Sequence, residues 1–289
     1  MFWLNILALF SFITVAIGVY NTNDIREIVS LNEDGAVLPS TKIFPPCEAR
    51  DMTECLATER SFKMVEFLKT SVVLNDRIGT ILDSPSWMTD QELEGNSRDS
   101  FHKSKILQDM ADDDRVETIC EIGTNAGYSA INFLIANSQA KLISFDLSAH
   151  AYTGAAIRVI QELYPDRITA FISGNSSISV PSAAALLSQN KCNVIFIDGG
   201  HATWDLRADI DNMRAYANES FNILVIDDLD MPLLRNVWTS TPMMKVLDDI
   251  YCSEFRYIGY SFNETSFSYD FDLKEYFYSG IIGVGQYLF

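Results

Sequence analysis

The 289-residue sequence is short of positive charge: 21 Lys and Arg stand against 39 Asp and Glu, a formal net charge of −18. Proteins that grip nucleic acid do so by neutralising phosphates with Lys and Arg, so no nucleic-acid partner is expected. Histidine is scarce, with only His102, His150 and His201. Cys47, Cys55, Cys120, Cys192 and Cys252 never fall at zinc-site spacing, which removes a structural zinc module. No internal repeat or low-complexity block occurs, and no stretch is biased enough to read as disordered throughout. The G-x-G-x-x-G fingerprint is also missing, which argues against a nicotinamide-dependent oxidoreductase.

What is present is ample apolar material. Hydrophobic residues make up 48% of the chain, enough for one sizeable α/β domain with extra N-terminal elements. Residues 1–20 read as a signal peptide or signal anchor: Phe2 to Tyr20 is apolar apart from a few small and polar residues, and the first charge is Asp24. Ala16 and Gly18 suit a cleavage site, and both outcomes, removal or retention as a membrane anchor, stay open. The expected destination is the secretory pathway. Residues 21–46 form a Pro-punctuated linker, 47–115 an N-terminal helical extension, and 116–289 the main domain. Within the extension, apolar spacing predicts helices over Glu54–Leu82 and Phe101–Met110. Cys47 and Cys55 could pair in an oxidising lumen, whereas Cys120, Cys192 and Cys252 are expected as buried free thiols. Sequons at Asn175, Asn218 and Asn263 are compatible with secretion but no more frequent than chance allows.

From Val116 onward, β-rich runs alternate with helix-length segments. The runs are Val116–Ile122, Lys141–Phe145, Ile168–Ile172, Asn193–Ile197 and Asn222–Ile226. Helices are predicted near Tyr128–Asn137, Ala149–Tyr164, Pro181–Gln189 and Trp204–Ala217. This alternation predicts a doubly wound parallel sheet covered on both faces. Phe255–Phe262 and Gly280–Phe289 then read as an antiparallel pair closing one edge.

In such sheets a ligand sits at the carboxyl ends of the strands. The first strand runs into Gly123-Thr124-Asn125-Ala126-Gly127, a loop in which Gly123 permits the tight turn and Gly127 a close approach to ligand. Ser129 and the free N–H groups of the following helix offer donors. Glu121 would repel a pyrophosphate but suits a ligand bearing an ammonium or sulfonium group. Asp146, at the end of the second strand, is placed to accept hydrogen bonds from ribose hydroxyls.

Glu121-x-Gly123-x-x-x-Gly127-x-Ser129, together with Phe145-Asp146, Phe196-Ile197-Asp198-Gly199-Gly200-His201 and Val225-Ile226-Asp227-Asp228, resembles class I S-adenosylmethionine-dependent methyltransferases. The similarity is to the small-molecule O-methyltransferase-like branch that includes catechol and caffeoyl-CoA methyltransferases, and it spans Val116 to Phe289. It implies a Rossmann-like seven-stranded sheet of order 3-2-1-4-5-7-6 with the last strand antiparallel. It also implies S-adenosylmethionine as cofactor, held by Glu121, Gly123, Thr124, Asn125, Gly127, Ser129, Asp146, Asn175 and Asp198. A small-molecule methyl acceptor is the implied partner.

Methyl transfer needs an oriented acceptor and one managed proton. His201, just past the fourth strand, is the candidate general base, with Asp198 beside it. The catechol-type branch is metal-dependent, and the match implies Mg²⁺ on Asp198, Asp227 and Asp228, although that branch usually has Asn where this sequence has Asp228. Trp204 could stack on adenine or acceptor, or pack its helix on the sheet. Asn175 could contact adenine or carry a glycan, but not both. The alternative to an enzyme is a secretory-pathway binding protein that keeps the fold without catalysis; retention of Glu121, both loop glycines and Asp146 argues against it.

Overall fold

The computed structural model describes residues 59–84, 101–263 and 268–289. The leader, the linker, Cys47 and Cys55 lie outside them, as do the side chains of His102, Cys252 and Asn263. Among the described residues no helix is long and apolar enough to cross a membrane.

Seven strands form one sheet in the order β3-β2-β1-β4-β5-β7-β6. They are β1 (Thr118–Ile122), β2 (Lys141–Asp146), β3 (Ile168–Ser173), β4 (Val194–Ile197), β5 (Ile223–Ile226), β6 (Met244–Asn263) and β7 (Ser268–Tyr287). β1 to β5 are parallel, and β7 runs antiparallel to both β5 and β6. The central strands read Val-Ile-Phe-Ile and Ile-Leu-Val-Ile and are buried throughout, as strands covered on both faces must be. The expected order and the antiparallel strand are both observed.

Seven helices are described: α1 (Glu59–Ile81), α2 (Phe101–Ala111), α3 (Tyr128–Ala136), α4 (Ala151–Leu163), α5 (Ser176–Ala183), α6 (Thr203–Met213) and α7 (Pro232–Ser240). Alternation along the strands sorts side chains into two cores. Ile119, Leu142, Val194, Phe196 and Val225 pack on one face with Phe67 and Leu74 of α1, Leu107 and Met110 of α2, and residues of α3 and α4. Cys120, Ile143, Phe145, Ile195 and Leu224 pack on the other with α5, α6 and Trp238 of α7. Among the described residues, the two helices that precede residue 116 thus share the core of the sheet.

Several boundaries differ from expectation. The helix predicted at Pro181–Gln189 lies at Ser176–Ala183: Asn175 caps its start, and Pro181, which has no N–H to donate, sits inside it just before its end. α7 has no predicted counterpart. β6 and β7 are 20 residues each, far longer than the tail runs, because their outer parts pair only with each other. Cys120 and Cys192 are paired as a disulfide, with Cα atoms 5.8 Å apart, instead of remaining free thiols. They come from neighbouring parts of the sheet, β1 and the approach to β4, and both belong to the same core.

Candidate active site

The glycine loop is held from both sides. Gly123 takes φ 95°, and its N–H donates to the carbonyl of Phe145 at 2.8 Å. A Cβ on Gly123 would stand 1.7 Å from the carbonyl oxygen of Asp198, so the turn is built against the end of β4. Asn125 and Gly127 also take positive φ, 51° and 86°, and Gly127 caps α3 with no side-chain partner of its own. The first N–H groups of α3 therefore rise into the loop.

Asp146 ties the loop to the end of β2. Its Oδ2 accepts from the backbone N–H of Asn125 at 2.8 Å, and its Oδ1 from that of Ser148 at 2.6 Å. Beside it, Gly174 donates to the Asp146 carbonyl at 2.8 Å. A cleft of about 500 Å³ opens here, lined by Ile172, Ser173, Gly174, Asn175 and α5 residues including Ile178. Asn175 faces this cleft, but its Oδ1 accepts from both the N–H and the hydroxyl of Ser177, at 2.9 and 2.7 Å.

Glu121 lies underneath the loop. It shares its face of β1 with Ile119, and that face packs under α3. The residue is fully buried; its Oε2 accepts from Ser129 Oγ at 2.8 Å and its Oε1 from Ser144 Oγ at 2.9 Å. Ser144 also contacts the hydroxyl of Thr124, which is itself buried. Burial pushes the Glu121 carboxyl up to about 7, against the opposing pull of these hydroxyls. Ser129 directs its hydroxyl downward to this acid.

The ends of β4 and β5 carry the second cluster. Asp198 follows Phe196, and Asp227 follows Val225, by two residues, so both carboxylates lie on the face that α1 to α4 cover. There Lys103 of α2 reaches between them: its Nζ donates to Asp198 Oδ2 at 3.2 Å and is ion-paired with Asp227. His201 Nε2 meets Asp228 Oδ2 at 2.9 Å. Burial pushes the Asp198 carboxyl above its usual range, although Lys103 opposes the shift. Burial also disfavours Asp228 as an anion, but the His201 hydrogen bond and the Lys103 charge outweigh it and hold this carboxyl low. Trp204, at the start of α6, is 74% exposed, so it does not pack that helix on the sheet. His150 stacks on Tyr152 with ring centres 4.8 Å apart.

Residues 120–229 match a family described as "Methyltransferase domain". Over that stretch, which runs from the end of β1 to just past β5, the chain is similar to a methyltransferase domain. The fold is similar to that of an O-methyltransferase from Bacillus cereus solved with SAH, at 14% identity and a TM-score of 0.50, over 76% of this chain and 90% of that one. The O-methyltransferase TomG from Streptomyces achromogenes, involved in tomaymycin synthesis and solved with SAM, aligns at 13% identity and TM-score 0.49, covering 78% and 90%. No curated protein sequence matches significantly.

The sheet brings every sequence-predicted site residue to the carboxyl edge of β1 to β5, but in different roles. Gly123, Thr124, Asn125, Gly127 and Asp146 form one continuous loop frame; Glu121 and Ser129 brace it from below. Asp198, Asp227, Asp228 and His201 gather at the next strand ends. Ligand atoms of Asp198, His201 and Asp228 lie within 4.8 Å of one another, close enough for a cation. The Mg²⁺ implied by the resemblance nevertheless does not fit this set. Asp227 is ion-paired with Lys103, and Asp198 Oδ2 accepts from the same ammonium, so a positive charge already stands between these two carboxylates. A dication held within about 4 Å of an ammonium is opposed by roughly 8 kcal/mol at an effective dielectric of about 20.

Lys103, Ser144 and Ser148 are the site residues that sequence reasoning missed. Lys103 did leave a signal: it stands three, four and seven residues before Ile106, Leu107 and Met110, which places a charge on the apolar stripe of its own helix. A Lys in that position is almost always paired with an acid.

Proposed function

We propose that the domain transfers a methyl group from S-adenosylmethionine to an oxygen of a small-molecule acceptor. The observation that carries this reading is the loop from Gly123 to Gly127, clasped between the Asp198 carbonyl and the Asp146 carboxylate. Such a frame aims backbone N–H groups and an acceptor carboxylate at one ligand carrying both a carboxylate and a ribose. Glu121 beneath adds a negative charge that suits a sulfonium. The acceptor half is then the neighbouring cluster, in which Asp198 borders the cofactor and His201 takes the proton. Asp228 orients that imidazole, as an acid hydrogen-bonded to a general base does. In-line transfer asks little more than this alignment.

Titration calorimetry with S-adenosylhomocysteine tests the cofactor half. The wild-type protein binds it, and Asp146→Ala lowers the affinity at least tenfold, because one ribose acceptor and the tether of Asn125 go together, each charged hydrogen bond being worth about 1.5–3 kcal/mol. A folded wild-type protein that binds none retires the enzyme reading. Labelled cofactor offered to hydroxyl-, amine- and carboxyl-bearing acceptors then tests the choice of oxygen.

The apolar run at 2–20 supports entry to the secretory pathway, and so does the Cys120–Cys192 disulfide, since such bonds persist in oxidising compartments. N-terminal sequencing of the cellular protein is expected to start after Gly18 or to find the chain in the membrane fraction. A soluble cytosolic protein with the run intact overturns this placement.

A further inference from the structure

Lys103 is contributed from outside residues 120–229, the stretch that the methyltransferase family covers. It is buried to 8% exposure, and its ion-pair partner Asp227 to 7%. Two strand ends and one helix thus converge on a single ammonium. A lysine arriving from α2 can do this because α2 packs directly on α3 and shares the core on that face of the sheet.

We propose that Lys103 is a tethered cation standing where the catechol-type branch holds its metal, a positioning residue that fixes the Asp198 and Asp227 carboxylates without any divalent ion. The proposal rests on the acceptor half being the Asp198–His201–Asp228 cluster. A metal brings charge, oxygen ligands and fixed directions to such a site. The ammonium supplies the charge and up to three donors, and its four-carbon stem, on a buried residue of α2, supplies the direction. Unlike a metal it cannot be lost to dilution or chelation. It also answers the departure at Asp228: with the charge of Asp227 met by Lys103, the next carboxylate is left to pair with His201.

The consequence is read by metal binding, without turnover and without knowledge of the acceptor. With the full-length protein, free Mn²⁺ is followed by electron paramagnetic resonance. Wild type is expected to take up no stoichiometric Mn²⁺ at its strand ends. Lys103→Ala, which vacates the space and leaves three carboxylates facing one another, is expected to gain one Mn²⁺ per chain. Lys103→Ala/Asp227→Asn is expected to lose it again. A wild-type Mn²⁺ site that Asp198→Asn removes overturns the proposal. So does a Lys103→Ala protein that keeps its circular dichroism and gains no site. A lysine that merely filled space would leave Mn²⁺ uptake unchanged on removal.

Should Lys103→Ala not fold, the wild type still decides the matter by thermal melting. An unchanged Tm on exchanging chelator for Mg²⁺ supports a tethered cation, and a Tm raised by Mg²⁺ but not in Asp198→Asn refutes it. Failure to bind S-adenosylhomocysteine, by contrast, would count against the methyltransferase reading and leave the Mn²⁺ result standing.

Discussion

Gly123→Ala is expected to abolish S-adenosylhomocysteine binding and to cost on the order of 3 kcal/mol or more of stability. Two effects add. The residue sits at φ 95°, where any Cβ is strained. The new methyl would also lie 1.7 Å from the oxygen and 2.6 Å from the carbon of the Asp198 carbonyl. Backbone cannot swing aside as a side chain does. The end of β4 is fixed by the Asp198 N–H on the Ile122 carbonyl at 2.9 Å, and the turn is fixed on its other side by the Phe145 carbonyl at 2.8 Å. Relief must therefore push β1 and β4 apart and carry Asp198 with them. Gly174→Ala is the control. It too has positive φ, 131°, but its Cβ would meet only Ser179 Cβ, at an ordinary 3.7 Å. That change is expected to cost about 1–2 kcal/mol, the conformational term alone. Urea unfolding of both variants checks the contrast, and equal losses would refute the steric account.

This contrast also marks how far the sequence is legible. The alternation of buried strands with helices, and the glycines before α3, announce the sheet and the loop, because period-2 and period-3.6 patterns are local. The partners of those glycines are not local. Nothing near Gly123 says that it meets the carbonyl of Asp198, 75 residues on. Lys103 and Asp198 are 95 residues apart, and Cys120 and Cys192 are 72 apart; each pair follows only once strand order is known. Asn175 shows the opposite case, where a purely local bond to Ser177 competes with the ligand contact its position suggests. Glu121 is intermediate. Its parity with Ile119 could have placed it beneath α3, but its position beside Gly123 reads equally as ligand-facing until the helix is set down.

That buried position gives Glu121 the second large effect, and one that depends on pH. Its carboxyl is raised from 4.5 to about 7, so the folded protein holds this proton more tightly than the unfolded chain does. The stability this contributes is complete below about pH 4.5 and drains away as pH rises through 7. The difference amounts to on the order of 3 kcal/mol. Glu121→Gln keeps an oxygen for one serine hydroxyl and an amide for the other, and removes the titration. Wild type is therefore expected to match or exceed Glu121→Gln in stability at pH 5 and to fall behind it by pH 8.5, measured by urea unfolding at each pH. A gap that does not change with pH would show that Glu121 is ionised throughout. The cofactor should reverse the balance, because a sulfonium bound over the loop favours the carboxylate. Binding below pH 7 is then accompanied by proton release, visible as a dependence of the calorimetric heat on the ionisation enthalpy of the buffer. Glu121→Gln should lose that dependence along with much of its affinity. The acid that weakens the empty domain at neutral pH is in this way the one that the charged cofactor needs, and stability is surrendered at the residue where binding recovers it.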